Sequence, residues 1–90
     1  MPDKPRTSDT QMPAQRWSNE ETDDPHYADA RGFFKVELWT PDDQRVARMF
    51  YAGNDLDRAR AMFDAEVTRR PGGRYTIRQG ARVLRKWPQD

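Results

Sequence analysis

The sequence predicts an α+β fold: a two-layer ββαββ domain in which one helix packs on a four-stranded antiparallel sheet. Three observations predict it. Residues 33–39 and 45–52 alternate in character around a turn, as two paired strands do. Residues 56–67 repeat apolar side chains at helical spacing. Residues 74–79 and 81–87 flank a single glycine and read as a second hairpin.

In the first predicted hairpin, every second residue from Phe34 to Leu38 is apolar and is expected to face the helix. Residues 41–43 are Pro-Asp-Asp, which suits a turn because proline presets φ and aspartate tolerates left-handed backbone. A loop of those residues would place Leu38 opposite Val46 and Phe34 opposite Phe50.

The predicted helix follows a capping residue, Asn54. Its apolar stripe is spaced by three, four and four residues and consists of Leu56, Ala59, Phe63 and Val67. Pro71 disfavours helical backbone at the residue before it, and Gly72-Gly73 completes the stop. The helix is therefore expected to end near residue 70.

In the second predicted hairpin, Gly80 is the turn residue. A three-residue loop with Gly80 left-handed would pair Ile77 with Ala81 and Tyr75 with Val83, which keeps apolar residues on one face. The order of the four strands in the sheet cannot be read from the sequence.

The net charge of +1 hides two unlike halves. Residues 1–30 carry three basic and seven acidic side chains, a net charge of −4, and contain no Val, Ile, Leu or Phe. Such a segment cannot bury enough apolar surface to offset its chain entropy, so we expect a disordered acidic tail over residues 1–30. Residues 31–90 carry 13 basic and 8 acidic side chains, a net charge of +5, and are expected to form the domain.

Composition argues against catalysis. There is no Cys, and His26, the one histidine, falls in the predicted tail. No glycine-rich phosphate loop, zinc-protease motif or calcium-loop spacing occurs. We therefore expect no enzymatic activity, no cofactor and no metal. The chain also lacks an apolar run of about 18 residues and an apolar leader, so we expect a cytoplasmic protein without membrane contact.

Several segments together resemble short uncharacterised bacterial proteins with a KVELW…ARAxF…RxGARVI pattern. The segments are Lys35–Trp39, Pro41–Asp43, Ala59–Phe63 and Gln79–Leu84. The resemblance covers residues 33–87. It implies the ββαββ fold but no activity and no site residues, since that group has no assigned function.

The first candidate site is an aromatic sheet face turned away from the helix. In the predicted register Lys35 faces Met49 and Phe33 faces Tyr51, with Trp39 on the same face. Aromatic residues and Met are enriched in interfaces, and a domain this small buries little surface alone. We therefore expect a protein-interaction module that forms a homodimer or binds a protein partner through this face.

The second candidate site is the arginine-rich C-terminal hairpin, with Arg74, Arg78, Arg82 and Arg85. Guanidinium groups bind phosphate oxygens bidentately, and aromatic side chains on a sheet stack unpaired bases. Binding of single-stranded nucleic acid is the alternative function. The central Glu37 and the lack of an RNA-binding motif make it the weaker one.

Overall fold

The computed structural model describes residues 19–89. In chain order the elements are α1 (Pro25–Arg31), β1 (Phe34–Trp39), β2 (Val46–Gly53), α2 (Leu56–Arg69), β3 (Arg74–Gln79) and β4 (Arg82–Trp87). The strands form one antiparallel sheet in the order β2-β1-β3-β4. The α+β fold with ββαββ order is confirmed, and α1 is an addition to it. Because β1 and β3 are central, β2 and β4 form the two edges.

The main core lies between α2 and one face of the sheet. Its buried residues are Val36, Tyr51, Ala59, Phe63, Tyr75 and Ile77. Ala59 is fully buried, and its small side chain lets α2 lie close to the sheet at that position. The ring of Phe63 meets Tyr75 edge-on, with centroids 6.5 Å apart. Burial of a side chain such as Phe63 stabilises the fold by about 2 kcal/mol.

Helix α2 is capped by Asp55, whose Oδ1 accepts the N–H of Arg58 at 3.1 Å. The sequence predicted Asn54 for this role. Asn54 instead binds Glu20, whose N–H donates to the Asn54 Oδ1 at 3.0 Å. Because that side chain is engaged outside the helix, the next polar residue caps it. The helix ends at Arg69, close to the predicted end near residue 70.

The registers of both hairpins differ from the predicted ones. In the second hairpin, Ile77 pairs with Arg85 and Arg78 with Val83, so the loop has two residues and not three, and Val83 lies on the face away from Tyr75 and Ile77.

The register of the first hairpin differs as well. Phe34 pairs with Gly53 and Lys35 with Ala52, and pairing shifts twice along the hairpin. Each shift lets β2 take one more residue than β1, and a bulge of this kind rotates the following side chains to the other face. As a result, Tyr51 packs against α2 rather than on the face away from it.

Residues 19–31 also differ from the prediction of a disordered tail over residues 1–30. Asp24 caps α1 by accepting the N–H of His26 at 2.9 Å, and Pro25 occupies the first turn. The helix stops at Gly32, where φ is +67°. Ala28 is fully buried, so even this acidic segment contributes an apolar anchor. Residues 1–18 of the predicted tail lie outside the described residues.

The strand-like segment before α1 adds to the C-terminal end of β2. The N–H of Thr22 donates to the Ala52 carbonyl at 2.9 Å, and the N–H of Asn54 donates to the Glu20 carbonyl at 3.1 Å. Glu21 forms an isolated antiparallel bridge with Gly53. The domain within residues 19–89 thus begins near residue 20, not at residue 31. Neither helix in this range has the length and apolar character needed to cross a bilayer.

Candidate interaction surface

The face of the sheet opposite α2, hereafter the outer face, carries most of the residues singled out by the sequence. Side chains alternate along a strand, so the neighbours of the core residues Val36, Tyr75 and Ile77 point outward. The outer face comprises Lys35, Glu37, Trp39, Arg74, Thr76 and Arg78, with Val83 and Lys86 paired beside the last two. One end of this face is covered and the other is open.

Helix α1 covers the end formed by β1 and β2. Ala28, Phe33 and Ala52 form a second small buried cluster, with Met49 packed against it. The Tyr27 ring meets Phe33 edge-on, with centroids 5.9 Å apart. These contacts take Phe33 out of solvent and leave Met49 half-buried.

Beside α1 lies a buried ion cluster, formed by Asp29, Lys35, Glu37 and Arg78. Lys35 and Glu37 are each only 2% exposed. The Lys35 Nζ lies 2.7 Å from Asp29 Oδ1 and 3.8 Å from Glu37 Oε2. The Arg78 guanidinium binds the Glu37 carboxylate bidentately: Nε donates to Oε1 at 2.6 Å and Nη2 donates to Oε2 at 2.9 Å. Two cations face two carboxylates, so the buried Lys35 and Glu37 have partners of opposite charge, although the Asp29 side chain is 47% exposed.

The bidentate contact between Arg78 and Glu37 affects the Arg78 pKa and is joined to a hydrogen bond that orients Trp39. The hydrogen bonds to Glu37 raise the pKa of the Arg78 guanidinium, which stays charged. Thr76 also donates to Glu37 Oε1, at 3.4 Å, and accepts the indole N–H of Trp39 at 2.8 Å. The Arg78 guanidinium carbon lies 5.1 Å from the Trp39 ring centroid. Trp39 is thereby fixed in orientation at the border of the open end.

The five residues of the predicted aromatic face do not share one exposed surface. Phe33 and Lys35 are buried under α1, and Tyr51 is buried on the opposite face against α2. The Tyr51 hydroxyl binds the start of α2, accepting the Asp55 N–H at 3.1 Å. Only Trp39 and Met49 keep part of their surface in solvent on the outer face.

The four predicted arginines are split between the two faces of the sheet. Arg74 and Arg78 lie on the outer face, and each is held bidentately by a carboxylate, from Asp43 and Glu37 respectively. Arg85 lies on the α2 side, 3.6 Å from Asp64. Arg82 makes no ion pair with any residue of the range 19–89.

Strand β4 is the most open element of the sheet. Five of its six residues are exposed, including Val83 at 51% and Leu84 at 36%. It pairs with β3 along one side only. Pairing shifts by one residue between Ile77 and Arg78, and the unpaired residue of β4 is Leu84. Sequence patterning could not identify this strand as an edge, because the strand order was not readable.

The segment of sequence that contains β4 carries charge of one sign. Residues 67–89 contain no Asp or Glu, and their cations are Arg69, Arg70, Arg74, Arg78, Arg82, Arg85 and Lys86. Residues 19–66 contain twelve carboxylates and six cations. The C-terminal hairpin is therefore the positive pole of the described domain.

A shallow cavity of about 180 Å³ opens on the outer face between Trp39 and Val83. Arg74 and Asp43 form part of its wall, and the hydrogen bonds from Arg74 lower the pKa of Asp43. That pair is neutral, so Lys86 supplies the remaining charge of the wall. The cavity is large enough for one side chain of a partner.

Within residues 19–89, no three His, Cys, Asp or Glu side chains come together in a way that could hold a metal ion. In comparisons with known proteins, no family model, no curated protein and no solved structure matches this chain. Within residues 19–89, the fold is a small α+β domain whose β4 edge carries cations and pairs with β3 alone.

Proposed function

We propose that the protein is a non-catalytic protein-interaction module that binds a protein partner through β4 and the open end of the outer face. One observation carries the proposal: β4 is an edge strand with two exposed apolar side chains, Val83 and Leu84, beside Arg82 and Lys86, which make no ion pair within residues 19–89.

The edge supports binding in two ways. An edge strand presents backbone N–H and C=O groups that a second chain can pair with. The side chains around it are of the types enriched in interfaces, namely arginine and the indole of Trp39 beside the cavity. The ion cluster and α1 cover the other end of the outer face, so the open end beside Trp39 is the part left for a partner.

Self-association was the other form of the expected function, and the charge of β4 disfavours its simplest geometry. Antiparallel pairing of two β4 strands about a twofold axis at Leu84 would place Arg82 of each copy opposite Lys86 of the other. Like charges on facing strands are destabilising. A partner of opposite charge fits the same edge better.

The test is peptide selection against the full chain. Random peptides displayed on phage are panned on the wild-type protein, and the selected peptides are then titrated into labelled protein by NMR. Amide shifts in β4 and at Trp39 support the proposal. Leu84→Asp should abolish binding, whereas Ala65→Asp, at an exposed position of α2, should not. Shifts confined to α2, or equal losses in both variants, would overturn it.

Single-stranded nucleic acid is a second candidate partner, favoured by the absence of any carboxylate in residues 67–89. It is less well supported, because phosphate would have to displace Asp43 and Glu37 from Arg74 and Arg78. Fluorescence anisotropy with labelled oligo(dT) and oligo(U) tests it. Binding that weakens steeply with salt would favour this candidate.

A further inference from the structure

We propose that the occupant of the β4 edge is an acidic, extended peptide segment of another protein, which adds to the sheet as a fifth strand. The inference rests on the proposed function and names its partner class. It follows from three observations: the β4 edge pairs with β3 alone, β4 carries cations, and an acidic segment of this chain already pairs with part of the β2 edge.

The two edges of the sheet, β2 and β4, differ in how much of their backbone is paired. Part of the β2 edge is already covered by residues 20–22, through the two backbone hydrogen bonds described above. No segment of residues 19–89 does the same for β4, which pairs with β3 alone. The β4 edge therefore keeps unpaired backbone groups along an exposed strand.

The segment that pairs with the β2 edge is an example, within this chain, of an added strand-like segment on this sheet. The covering segment is acidic, and its carboxylates bind arginines of the domain. Glu20 lies 2.8 Å from Arg31, and Glu21 lies 2.8 Å from Arg58. Backbone pairing is thus combined with carboxylate–guanidinium contacts on its flanks. The same combination at β4 needs an acidic strand, since Arg82 and Lys86 make no ion pair within residues 19–89.

The side-chain pattern of β4 sets the pattern of the partner. Val83 and Lys86 point to the outer face, beside Arg78 and Thr76. Arg82 and Arg85 point to the α2 side, beside Gln79 and Ile77. Each face of the edge thus offers a cation, so an added strand needs carboxylates on both faces. Val83 and Leu84 favour apolar side chains at the centre of that strand.

Two nearer occupants fit less well. A second copy pairing through β4 would oppose like charges, as argued above. Residues 1–18 of this chain carry Asp3 and Asp9 against Lys4, Arg6 and Arg16. That segment has a net positive charge and does not complement the edge. An acidic segment from another protein remains the occupant that the charges favour.

The experiment uses the full chain and a synthetic peptide about eight residues long, a usual strand length, with Val at its two central positions and Glu at the others, so that both faces of the strand carry carboxylates. Two matched peptides accompany it. One is the Lys-Val peptide, with Lys in place of every Glu, and the other is the acidic peptide with alternate backbone nitrogens methylated. The acidic peptide should shift β4 amides and slow their hydrogen exchange, and methylation of its backbone should abolish binding.

Variants give the charge test. Arg82→Glu with Lys86→Glu should weaken the acidic peptide roughly tenfold or more and create binding to the Lys-Val peptide. Arg45→Glu, an exposed position just before β2 at the other edge of the sheet, is the control and should change affinity less than about twofold. Circular dichroism confirms that both proteins are folded.

Other outcomes overturn the inference and remain separable from failure of the proposed function. If panned non-acidic peptides bind β4 while the acidic peptide does not, the interaction module stands and this partner class falls. If the methylated peptide binds equally well, the contact is not strand addition. If oligo(dT) binds β4 more tightly than the peptide, the edge serves nucleic acid. If sedimentation shows a dimer with protected β4 amides, a second copy occupies the edge.

Discussion

Replacement of Glu37 by Gln would remove the carboxylate on which the buried ion cluster depends. Glu37 accepts both prongs of Arg78 and lies 3.8 Å from Lys35. The amide is nearly the same size as the carboxylate, so packing against α1 is retained. The substitution leaves two cations in the cluster with Asp29 as their one carboxylate, and Asp29 contacts only Lys35.

The magnitude follows from burial. Removing one partner of a buried ion pair costs about 3–5 kcal/mol, because the other charge stays buried without compensation. The Arg78 side chain is 22% exposed, so water can hydrate part of it and the lower end of that range applies. We expect Glu37→Gln to lower the free energy of unfolding by about 3 kcal/mol. That is a large share of the roughly 4–10 kcal/mol expected for a domain of this size.

The assay is urea unfolding of the full chain, followed by far-UV circular dichroism. The midpoint should fall while the slope stays unchanged, since the surface exposed on unfolding is the same. Asp57→Asn is the matched control. Asp57 is exposed and lies 4.0 Å from Arg60, so its loss should cost less than about 0.5 kcal/mol.

A second arm separates charge from packing. Arg78→Met combined with Glu37→Leu removes both members of the fork and should restore much of the stability lost in Glu37→Gln. The reasoning is refuted if Glu37→Gln costs no more than Asp57→Asn. It is also refuted if the apolar pair is less stable than the single variant, since the stabilisation would then not come from compensating buried charge.

Three further predictions concern single sites. Gly53→Ala should cost about 1–3 kcal/mol and increase hydrogen exchange at residues 20–22, because a Cβ there would collide with the Glu20 carbonyl and the Tyr51 ring. The carboxyl of Asp43 should titrate below 3.8 by NMR, with Arg74→Gln moving it back toward 3.8; its stabilising effect is present above pH 3.8 and lost as the pH falls through the lowered pKa. Burial raises the pKa of Tyr51 above 10.0. Its neutral hydroxyl therefore stabilises the fold fully below pH 10.0, and this stabilisation is lost as the pH rises through the raised pKa. The absorbance of the ionised ring at alkaline pH measures that pKa.

Local sequence signals predicted the elements well. Alternation, the helical stripe and the turn residues Pro41 and Gly80 each depend on neighbours within a few positions, and the four strands and α2 lie where those signals placed them. The candidate surfaces required information of another kind. Whether Tyr51 faces α2 depends on two irregularities in pairing, and whether β4 is an edge depends on strand order. Neither is encoded in a short window.

The charged residues of β1 show the same limit more sharply. Lys35 and Glu37 alternate with Val36, and a charged-apolar alternation ordinarily indicates a solvated outer face. Both are buried because α1 supplies Asp29 and β3 supplies Arg78. The partners come from opposite directions along the chain. A charged strand face is therefore an exposed face only if no complementary charges are folded onto it.

The acidic N-terminal part and the basic C-terminal part are linked by the same logic. Within residues 19–31, Glu20 and Glu21 each pair with an arginine, and Asp29 pairs with Lys35. All three cations lie before residue 60, so this acidic segment balances charge on the N-terminal side of the domain and none on β4. An acidic segment that screened the whole domain would weaken the binding of any anionic partner. One that pairs only with cations before residue 60 leaves Arg82 and Lys86 on β4 without an ion pair in residues 19–89.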